Sequence, residues 1–589
     1  MAGSIRIADL GHDDDTLECE AAYMREKQHL QQLIVQWDSR WAGETECYDK
    51  TSLEMLQPHP NLKTLELYYY MGEEIPNWFS SLINLVHLKF SKNRRLCHLP
   101  PLNQLPSLKS VDVSTMGALE YISAVGYSSS NTAEFFPKLS SLRICYCPNL
   151  KKWWRKDDDI HKAELPAFPC LLRLEIRGCP NLTSMPLFPH LKENLILDKS
   201  ISKVLHQTMN MAAISSTSSS SCFKPLSQLE SLELIQVDDL ESLPEEWLQN
   251  LISLQALFIY KCNGLRSLPC RGIQHLTSLQ SMEIWDCNEF SVLNEEDDGM
   301  QWQALSSLYS LDFEGIPKLR FMPVGLQHVT TLQQLRIWEC SSLMVLPEWI
   351  TSLQKLEIGK CPNLTSISQA QAQAQARIGD LTSSKLPTKN LLGRTTNPPL
   401  ANIECLELER VIDLEYLPEE FLRLLISLRE LSIERCDELR FLPSRGIRHL
   451  ISLQSMSIRY CDKLVLLNLE DDGMQWQALR SLISLEFIGI PKLLSLPDGL
   501  QHVTTLQRLQ IWYCPNLKAL PVWIGNLTSL QRLSIQYCPN LASLPQGIRN
   551  LTSLTFLEII ACPLLRQRCK MQTGEDWPYI AHVPILQVD

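Results

Sequence analysis

The sequence predicts an α/β solenoid, because one short phrase of residues recurs along most of its length. The phrase is a Leu, two residues, a Leu, one residue, an Ile or Phe, two residues, usually a Cys, and a Leu three residues later; one copy consists of Leu254, Leu257, Ile259, Cys262 and Leu265. Seventeen full copies recur about every 21 to 28 residues, which is the signature of leucine-rich repeats. We therefore expect a horseshoe or superhelix with a concave parallel β-sheet and short helical or irregular turns on its convex side.

The two halves of each repeat have different periodicities. The Leu-x-Leu/Ile segment alternates apolar and polar residues, as in a strand with one buried face, and such strands stack at about 4.8 Å. In the return segments, Pro244, Glu245 and Glu246 precede Trp247 and Leu248 at helical spacing. A Pro followed by acidic residues is typical of a helix start, so we expect single turns or short helices there. With two partial copies near the start of the chain, nineteen strands are predicted.

Two stretches interrupt the repeats. Residues 200–224 contain a Ser-rich run, and residues 365–400 begin with alternating Gln and Ala. Neither has enough bulky apolar residues to offset the entropy of ordering the chain, so we predict loops that leave the solenoid. The predicted segments, in chain order, are a lead-in with a partial repeat (1–50), repeats (51–199), a Ser-rich loop (200–228), repeats (229–364), a Gln/Ala-rich loop (365–402), repeats (403–565) and a C-terminal cap (566–589).

Composition narrows the function. A net charge of −12 and an isoelectric point of about 5.6 argue against a nucleic-acid partner. The first residues lack the basic and apolar regions of a secretory signal, and no window reaches the about 20 apolar residues that span a bilayer. We therefore expect a cytoplasmic or nucleocytoplasmic protein. Four Asn-x-Ser/Thr sequons, at Asn181, Asn363, Asn526 and Asn550, are then repeat residues rather than glycan sites.

Twenty cysteines would indicate a disulfide framework in a small secreted chain, but their positions here favour a structural role. Eleven occupy the same slot directly after a predicted strand, where the chain turns inward and a small thiol can be buried. Zinc would require paired cysteines separated by about two to four residues, which Cys145 and Cys147 do not provide. The predicted structural ladder consists of Cys147, Cys179, Cys262, Cys287, Cys340, Cys361, Cys436, Cys461, Cys514, Cys538 and Cys562.

Residues 229–349 and 403–523 are two copies of one block. They align at a constant shift of 174 residues without a gap, and 76 of 121 positions are identical. Of the 25 strand positions that should face the concave side, 17 differ, against 28 of the other 96 positions. Relaxed constraint on exposed residues would produce this pattern, and so would a ligand surface that diversified between the copies. We favour the second interpretation, because large aromatic and charged side chains are exchanged, such as Trp285 for Arg459.

The concave face is the predicted partner-binding surface. Aromatic and cationic side chains on a sheet can bury much area against a protein partner at low entropy cost. An alternative is that these rings stack on their neighbours across strands. The predicted partner-binding residues are Tyr260, Lys261, Trp285, Trp338, Arg435, Tyr460, Trp512, Tyr513 and Tyr537.

No motif in the sequence indicates catalysis, a cofactor or a metal. The acidic run around Asp298 resembles half of a calcium loop, but the position that needs a bidentate Glu is Leu305, and Leu479 in the second copy. The Gly-Lys pair at 359–360 lacks the first Gly and the hydroxyl of a phosphate-binding loop, and no serine-hydrolase or zinc-protease motif occurs. We therefore predict that the protein is not an enzyme and has no catalytic, cofactor-binding or metal-binding residues.

Two groups of residues carry a resemblance to a known family. The first, in the early repeats, consists of Leu56, Gln57, Pro58, His59, Asn61, Leu62, Lys63, Ile75, Pro76, Asn77, Trp78, Leu99, Pro100, Pro101, Leu102, Gln104, Leu105, Pro106, Ser107 and Leu108. The second consists of Cys562, Pro563, Leu564, Leu565, Arg568, Cys569, Thr573, Gly574, Glu575, Asp576, Trp577, Ile580, Ala581 and His582. Both resemble the repeats and the C-terminal end of plant intracellular disease resistance proteins of the coiled-coil NB-LRR class.

The resemblance implies a recognition domain of plant innate immunity. Such a domain senses a pathogen effector or a guarded host protein and regulates an NB-ARC switch, in cis or in trans. The resemblance covers the leucine-rich repeats only, so it does not imply nucleotide binding; part of a longer receptor and a truncated gene product both fit it. Two alternatives stay open, a stand-alone adaptor such as a ubiquitin-ligase substrate receptor and an extracellular leucine-rich repeat receptor or inhibitor. They would require an adaptor-binding helical module or a signal peptide, respectively.

Overall fold

The computed structural model contains two compact units, Met1–Phe290 with Met300–Ser307 and Ser291–Gly299 with Leu308–Asp589. Both are built from the predicted repeats. The structure describes residues 3–10, 21–39, 49–123, 135–155, 165–210, 224–291, 302–344, 353–364, 402–411, 414–417, 419–442, 444–466 and 476–589. The calcium-like run around Asp298, residues 211–223 of the first predicted loop and residues 365–401 of the second lie outside these ranges.

Short parallel strands, one in each repeat, build both units. Of the 22 strands in the main sheet, those of the first unit are Gly3–Leu10, Leu30–Trp37, Thr64–Tyr68, His87–Ser91, Ser110–Ser114, Ser141–Cys145, Arg173–Arg177, Asn194–Asp198, Ser231–Ile235, Ala256–Tyr260 and Ser281–Trp285. Those of the second unit are Ser310–Glu314, Gln334–Trp338, Lys355–Gly359, Cys405–Glu409, Glu430–Glu434, Ser455–Arg459, Ser484–Ile488, Arg508–Trp512, Arg532–Gln536, Phe556–Ile560 and Ile585–Val588. The predicted leucine-rich repeat fold is thereby confirmed.

Three of these strands were not among the nineteen that the sequence predicts. Gly3–Leu10 and Ile585–Val588 lie outside the recurring phrase and pair with the first and last predicted strands of the chain. The strand Asn194–Asp198 belongs to an irregular copy of the phrase. Three residues separate Leu191 from Leu195 in this copy, whereas two separate the corresponding residues in the others. The strand forms nonetheless, because Leu195 and Leu197 are fully buried, as the corresponding residues of other repeats are.

The core consists of columns of apolar side chains that run from strand to strand. In the strand Ala256–Tyr260, Leu257 and Ile259 are buried, and the three alternating residues of the strand are partly exposed. Leu257 pairs with Leu232 on one side and with Met282 on the other. Complete burial of one such side chain contributes about 2 kcal/mol. A single repeat leaves its apolar strand residues open to water on the sides where neighbouring repeats would pack. The stability of each repeat therefore depends on stacking against its neighbours.

Short helices and turns return the chain from one strand to the next, as predicted. The α-helices are Asp49–Met55, Lys203–Met209, Glu245–Asn250, Cys270–Ile273, Glu419–Leu424, Ser444–Ile447, Pro563–Arg568 and Trp577–Ile580. The 3-10 helices are Ala21–Glu26, Asn77–Ser81, Leu102–Gln104, Trp302–Ala304, Val324–His328, Trp476–Ala478, Asp498–His502, Val522–Asn526 and Gln546–Asn550. A second, small sheet is formed by His98–Leu99, Tyr121–Ser123 and Lys152–Trp154.

The first part of the predicted loop over residues 200–228 differs from the prediction, because it contains the helix Lys203–Met209. The helix buries Val204, Leu205 and Met209, so it is packed against the repeats. The backbone N–H before the helix, from Ser202, donates to both carboxylate oxygens of Asp239 at 3.0 and 2.9 Å. The Ser-rich run itself lies outside the described residues.

The cysteines in the slot after the strands are buried and hydrogen-bonded. All eleven cysteines predicted to occupy it have at most 1% of their surface exposed. The Cys262 thiol donates to the carbonyl of Leu234, in the preceding repeat, at 3.4 Å. Burial raises the pKa of Cys262 to about 11 and that of Cys287 to about 12, so both thiols stay protonated at neutral pH. Ser200 fills the same slot and donates to Ile176 at 3.4 Å.

Asparagines form a second ladder between repeats. The side-chain amide of Asn181 donates to the Pro148 carbonyl at 2.8 Å, and that of Asn363 donates to Ser341 at 2.7 Å. Asn540 makes the same bond outside any sequon, to Pro515 at 2.7 Å. A structural role therefore accounts for the Asn at these positions.

We expect Cys262→Ser to lower the thermal midpoint of unfolding only slightly, because Ser200 already makes the equivalent hydrogen bond. Cys262→Asp should lower stability by about 3 kcal/mol or more, since it buries an unpaired carboxylate. Circular dichroism during heating measures both, and Cys97→Asp at an exposed position is the control. A Cys262→Asp protein as stable as the parent would show that the slot is not a buried structural position.

Candidate recognition surface

The nine predicted partner-binding residues fall at two adjacent positions of the repeat. Tyr260, Trp285, Trp338 and Trp512 are the last residues of their strands. The other five residues follow a strand directly: Lys261, Arg435, Tyr460, Tyr513 and Tyr537. The first unit holds Tyr260, Lys261 and Trp285, and the second unit holds the remaining six.

The residue directly after the strand has a left-handed backbone in nineteen repeats. Its N–H donates to the last carbonyl of the next strand, as from Lys261 to Trp285 at 2.9 Å and from Tyr513 to Gln536 at 2.9 Å. This conformation turns the chain inward toward the buried slot. We call these residues the strand-end row: Tyr69, Lys92, Thr115, Tyr146, Gly178, Lys199, Gln236, Lys261, Asp286, Gly315, Glu339, Lys360, Arg410, Arg435, Tyr460, Gly489, Tyr513, Tyr537 and Ala561.

Glycine would be the least strained residue in the strand-end row, yet only three of its members are glycine. A left-handed backbone costs a residue with a side chain about 1 kcal/mol or more. Most repeats therefore display a side chain at this position at the expense of stability. Strain of this kind is typical of functional surfaces.

In the second unit, three tyrosines of the row form what we call the tyrosine strip: Tyr460, Tyr513 and Tyr537. The rings of Tyr513 and Tyr537 stack with centroids 4.4 Å apart and planes 4° apart, while 44% and 43% of these residues stay exposed. The Tyr460 ring lies against Gly489, where a Cβ atom would collide with it. The strip is therefore exposed and held in place by its neighbours.

A cleft of about 580 Å³ adjoins the tyrosine strip. Arg410, Arg435 and Tyr460 line it together with three carboxylates, Asp437, Glu438 and Asp462. The guanidinium of Arg435 lies 5.4 Å from the centre of the Tyr460 ring, within the range of a cation–π contact. Charged groups of both signs beside exposed rings are suited to a protein partner with polar and apolar side chains.

In the first unit, the corresponding surface is an aromatic cluster. The ring of Phe258 lies 5.0 Å from that of Trp285 and 6.1 Å from that of Tyr260. The Lys261 ammonium lies 4.8 Å from the centre of the Tyr260 ring. Phe258 was not among the predicted site residues, although its position in the strand gave the necessary signal.

The second copy of the block replaces this whole cluster with an ionic one. Ser432, Glu434 and Arg459 stand where the first copy has Phe258, Tyr260 and Trp285. Arg459 donates to the carboxylate of Glu486 at 2.6 Å, and Ser457 donates to the same carboxylate at 3.0 Å. Two of the three replacements, Glu434 and Arg459, form an ion pair at 4.0 Å, so they contact one another as Tyr260 and Trp285 do in the first copy.

The tryptophans at strand ends in the second unit are anchored. The guanidinium of Arg336 lies 4.9 Å from the Trp338 ring and 2.6 Å from the carboxylate of Glu314. The indole N–H of Trp512 donates to the Ser534 hydroxyl at 2.8 Å, which donates to Glu558 at 2.6 Å. Both tryptophans are thus held by polar or cationic neighbours and stay partly exposed.

The strand-end row also includes first-unit residues that the sequence prediction missed. Tyr146 is 55% exposed, and its ring lies against Gly178 on the next strand. The Lys92 ammonium lies 4.9 Å from the centre of the Tyr69 ring and donates to its hydroxyl at 2.7 Å. The signal that would have found them is their position directly after a strand.

Two further findings concern chemistry and membranes. Within the described ranges, no group of three or more His, Cys, Asp and Glu side chains is placed to hold a metal ion. None of the helices in those ranges has both the length and the apolar character needed to cross a membrane.

Two protein-family models match the chain. Residues 1–116 match the R13L1/DRL21 leucine-rich repeats, and residues 404–563 match the leucine-rich repeats of RPS2-like plant disease resistance proteins. The second match contains the tyrosine strip. Residues 404–563 are thus similar to the leucine-rich repeats of plant disease resistance proteins.

Curated plant disease resistance proteins are similar over the same repeats. The putative disease resistance protein RGA4 of Solanum bulbocastanum is 30% identical over 258 residues, which are 43% of this chain and 24% of that protein. Disease resistance protein RGA2 of the same species is 31% identical over 41% of this chain and 24% of its own length. The matched region thus spans about a quarter of these relatives. This likeness supports a role in plant immunity.

Among solved structures, similar chains have low sequence identity. A leucine-rich repeat protein of Leptospira interrogans is 18% identical, with a TM-score of 0.42, over 84% of this chain and 96% of that chain.

We expect Gln236→Gly, in the strand-end row, to raise the free energy of unfolding by about 1 kcal/mol, because glycine adopts a φ of 50° without strain. Ser231→Gly, in the adjoining strand, should lower it by a similar amount, because that residue has an ordinary strand backbone. Urea titration followed by circular dichroism measures both. Equal destabilisation by the two changes would contradict the strain that we assign to the row.

Proposed function

We propose that the chain is a non-enzymatic protein-recognition domain of plant immunity, which binds a pathogen effector or a guarded host protein through its strand-end surface. The observation that carries this proposal is the strand-end row, where sixteen of nineteen positions hold a side chain in a conformation that favours glycine. Aromatic and cationic residues in this row and at the strand ends are of the types that dominate protein interfaces.

The tyrosine strip is the proposed anchor in the second unit. Tyr513 and Tyr537 are fixed by stacking, so binding would cost little side-chain entropy, and their exposed faces and hydroxyls can contact apolar and polar groups of a partner. In the first unit, the aromatic cluster of Phe258, Tyr260 and Trp285 would act in the same way with a more apolar partner surface.

Two further parts of the proposal concern a protein module that the chain regulates and the cellular compartment in which it acts. The relatives are about four times as long as the region that they share with this chain, so we propose that an NB-ARC module, in cis or in trans, is regulated by partner binding. We place the protein in the cytoplasm or in both nucleus and cytoplasm. Sixteen cysteines in the described part of the chain are free thiols, which suits a reducing compartment.

We expect Tyr513→Ala with Tyr537→Ala to reduce capture of the partner from pathogen-infected leaf extract by about tenfold or more, because the change removes two stacked anchors. Quantitative mass spectrometry of proteins retained by the immobilised chain measures the loss.

The matched control is Tyr416→Ala with Phe441→Ala. These rings also stack, 5.6 Å and 2° apart, and are 46% and 38% exposed, but they lie outside the strands and the strand-end row. The proposal requires capture by the control to stay near the parent level. If both variants lost the same proteins equally, or neither lost any, the strand-end surface would not be the recognition site.

A further inference from the structure

A cleft in the first unit is lined by several cations. It has a volume of about 790 Å³ and lies at the starts of successive strands, opposite the strand-end row. Lys63 and Lys109 each precede a strand by one residue, and Lys138 precedes the strand Ser141–Cys145. All three side chains are exposed and line the cleft, which we call the lysine cleft.

These lysines have no acidic partner among the described residues, unlike several other cations of the first unit. Lys89 pairs with Asp112 at 3.4 Å, Arg143 with Glu175 at 3.1 Å and Arg177 with Asp198 at 3.3 Å. Within the described part of the chain, no carboxylate lies within ion-pair distance of Lys63, Lys109 or Lys138. Three like charges around one cleft repel each other, so an anionic partner would be attracted to it.

The backbone of the cleft is fixed before any partner arrives. The Lys63 carbonyl accepts from the N–H groups of Val86 and His87 at 2.8 and 2.9 Å, and the Lys109 carbonyl accepts from Ser140 and Ser141 at 2.9 and 3.0 Å. Binding an anion would therefore order only the flexible ends of the lysines. Lysine presents three rotatable donors and suits a partner with several separate carboxylates.

The lining favours an acidic peptide over a nucleic acid. Binding of single-stranded nucleic acid usually depends on several aromatic rings that stack on bases, and the described lining of the cleft has no Phe, Tyr or Trp and a single imidazole, that of His29. The net charge of −12 would also repel a long polyphosphate beyond the cleft. Side-chain amides such as Gln28 and Gln31 add hydrogen-bond donors suited to carboxylates.

We propose that the lysine cleft is a second interaction site, which binds an acidic peptide segment of a protein partner through Lys63, Lys109 and Lys138. This site is independent of the strand-end surface and has different chemistry. Its affinity is electrostatic, so it falls as salt screens the charges.

The test is a fluorescence-anisotropy titration of the full chain with a labelled oligoglutamate peptide of about twelve residues at low salt. We expect Lys63→Glu with Lys109→Glu to weaken binding by about tenfold or more. The control, Lys192→Glu with Lys203→Glu, gives the protein the same net charge by changing exposed lysines that do not line the cleft. It should change affinity by less than about twofold, since only the distant field is altered.

Three results would overturn the proposal. They are no binding of the peptide to the parent chain at low salt, equal weakening of binding by the two variants, and tighter binding of labelled oligothymidylate of equal charge than of the peptide. Thermal melting of each variant shows whether it is folded. If the charge reversal unfolds the chain, Lys63→Gln with Lys109→Gln provides the same comparison against Lys192→Gln with Lys203→Gln. Mutations in the tyrosine strip should leave the peptide affinity unchanged, which separates this site from the proposed recognition surface.

Discussion

Burial of two apolar side chains per strand is the constraint on which the rest of this structure depends. Leu257 and Ile259 can leave water only if neighbouring repeats place residues such as Leu232 beside them in parallel register. The chain must then turn inward directly after the strand, so that the slot residue is buried as well. It does so by placing one residue in a left-handed conformation. The backbone N–H of that residue still donates a hydrogen bond to the last carbonyl of the next strand. The strand-end row is thus a direct consequence of core packing.

The duplicated block shows that scaffold and surface can change separately. The buried residues of the strand Ala256–Tyr260 are repeated in the second copy, as Leu431 and Ile433, whereas Phe258 and Tyr260 are replaced by polar residues. Relaxed constraint would scatter such changes independently. Instead, two of the replacements, Arg459 and Glu434, form an ion pair where the first copy has Trp285 and Tyr260. We interpret the two copies as one scaffold that presents two different chemistries.

Much of the fold could be predicted from the sequence because the spacing of Leu and Cys reports burial directly. The left-handed backbone could not, since residues as different as Lys261, Asp286 and Tyr513 occupy it and only three glycines hint at it. Contacts between side chains far apart in sequence were also out of reach. Tyr513 and Tyr537 could be named individually, but their stacking depends on strand register. The lysine cleft depends on residues spread from position 28 to position 138, and the helix Lys203–Met209 on packing that its short apolar pattern did not reveal.

The most direct test of the strand-end surface is covalent labelling of tyrosines in the presence and absence of the captured partner. Tyr460, Tyr513 and Tyr537 are exposed and accessible to a phenol-selective reagent, and Tyr416, at 46% exposure, is an internal reference outside the row. Peptide mass spectrometry gives the extent of modification at each residue. We expect the partner to reduce labelling of the three strip residues several-fold and to leave Tyr416 unchanged. Protection of Tyr416 with full labelling of the strip would contradict recognition through the strand-end surface.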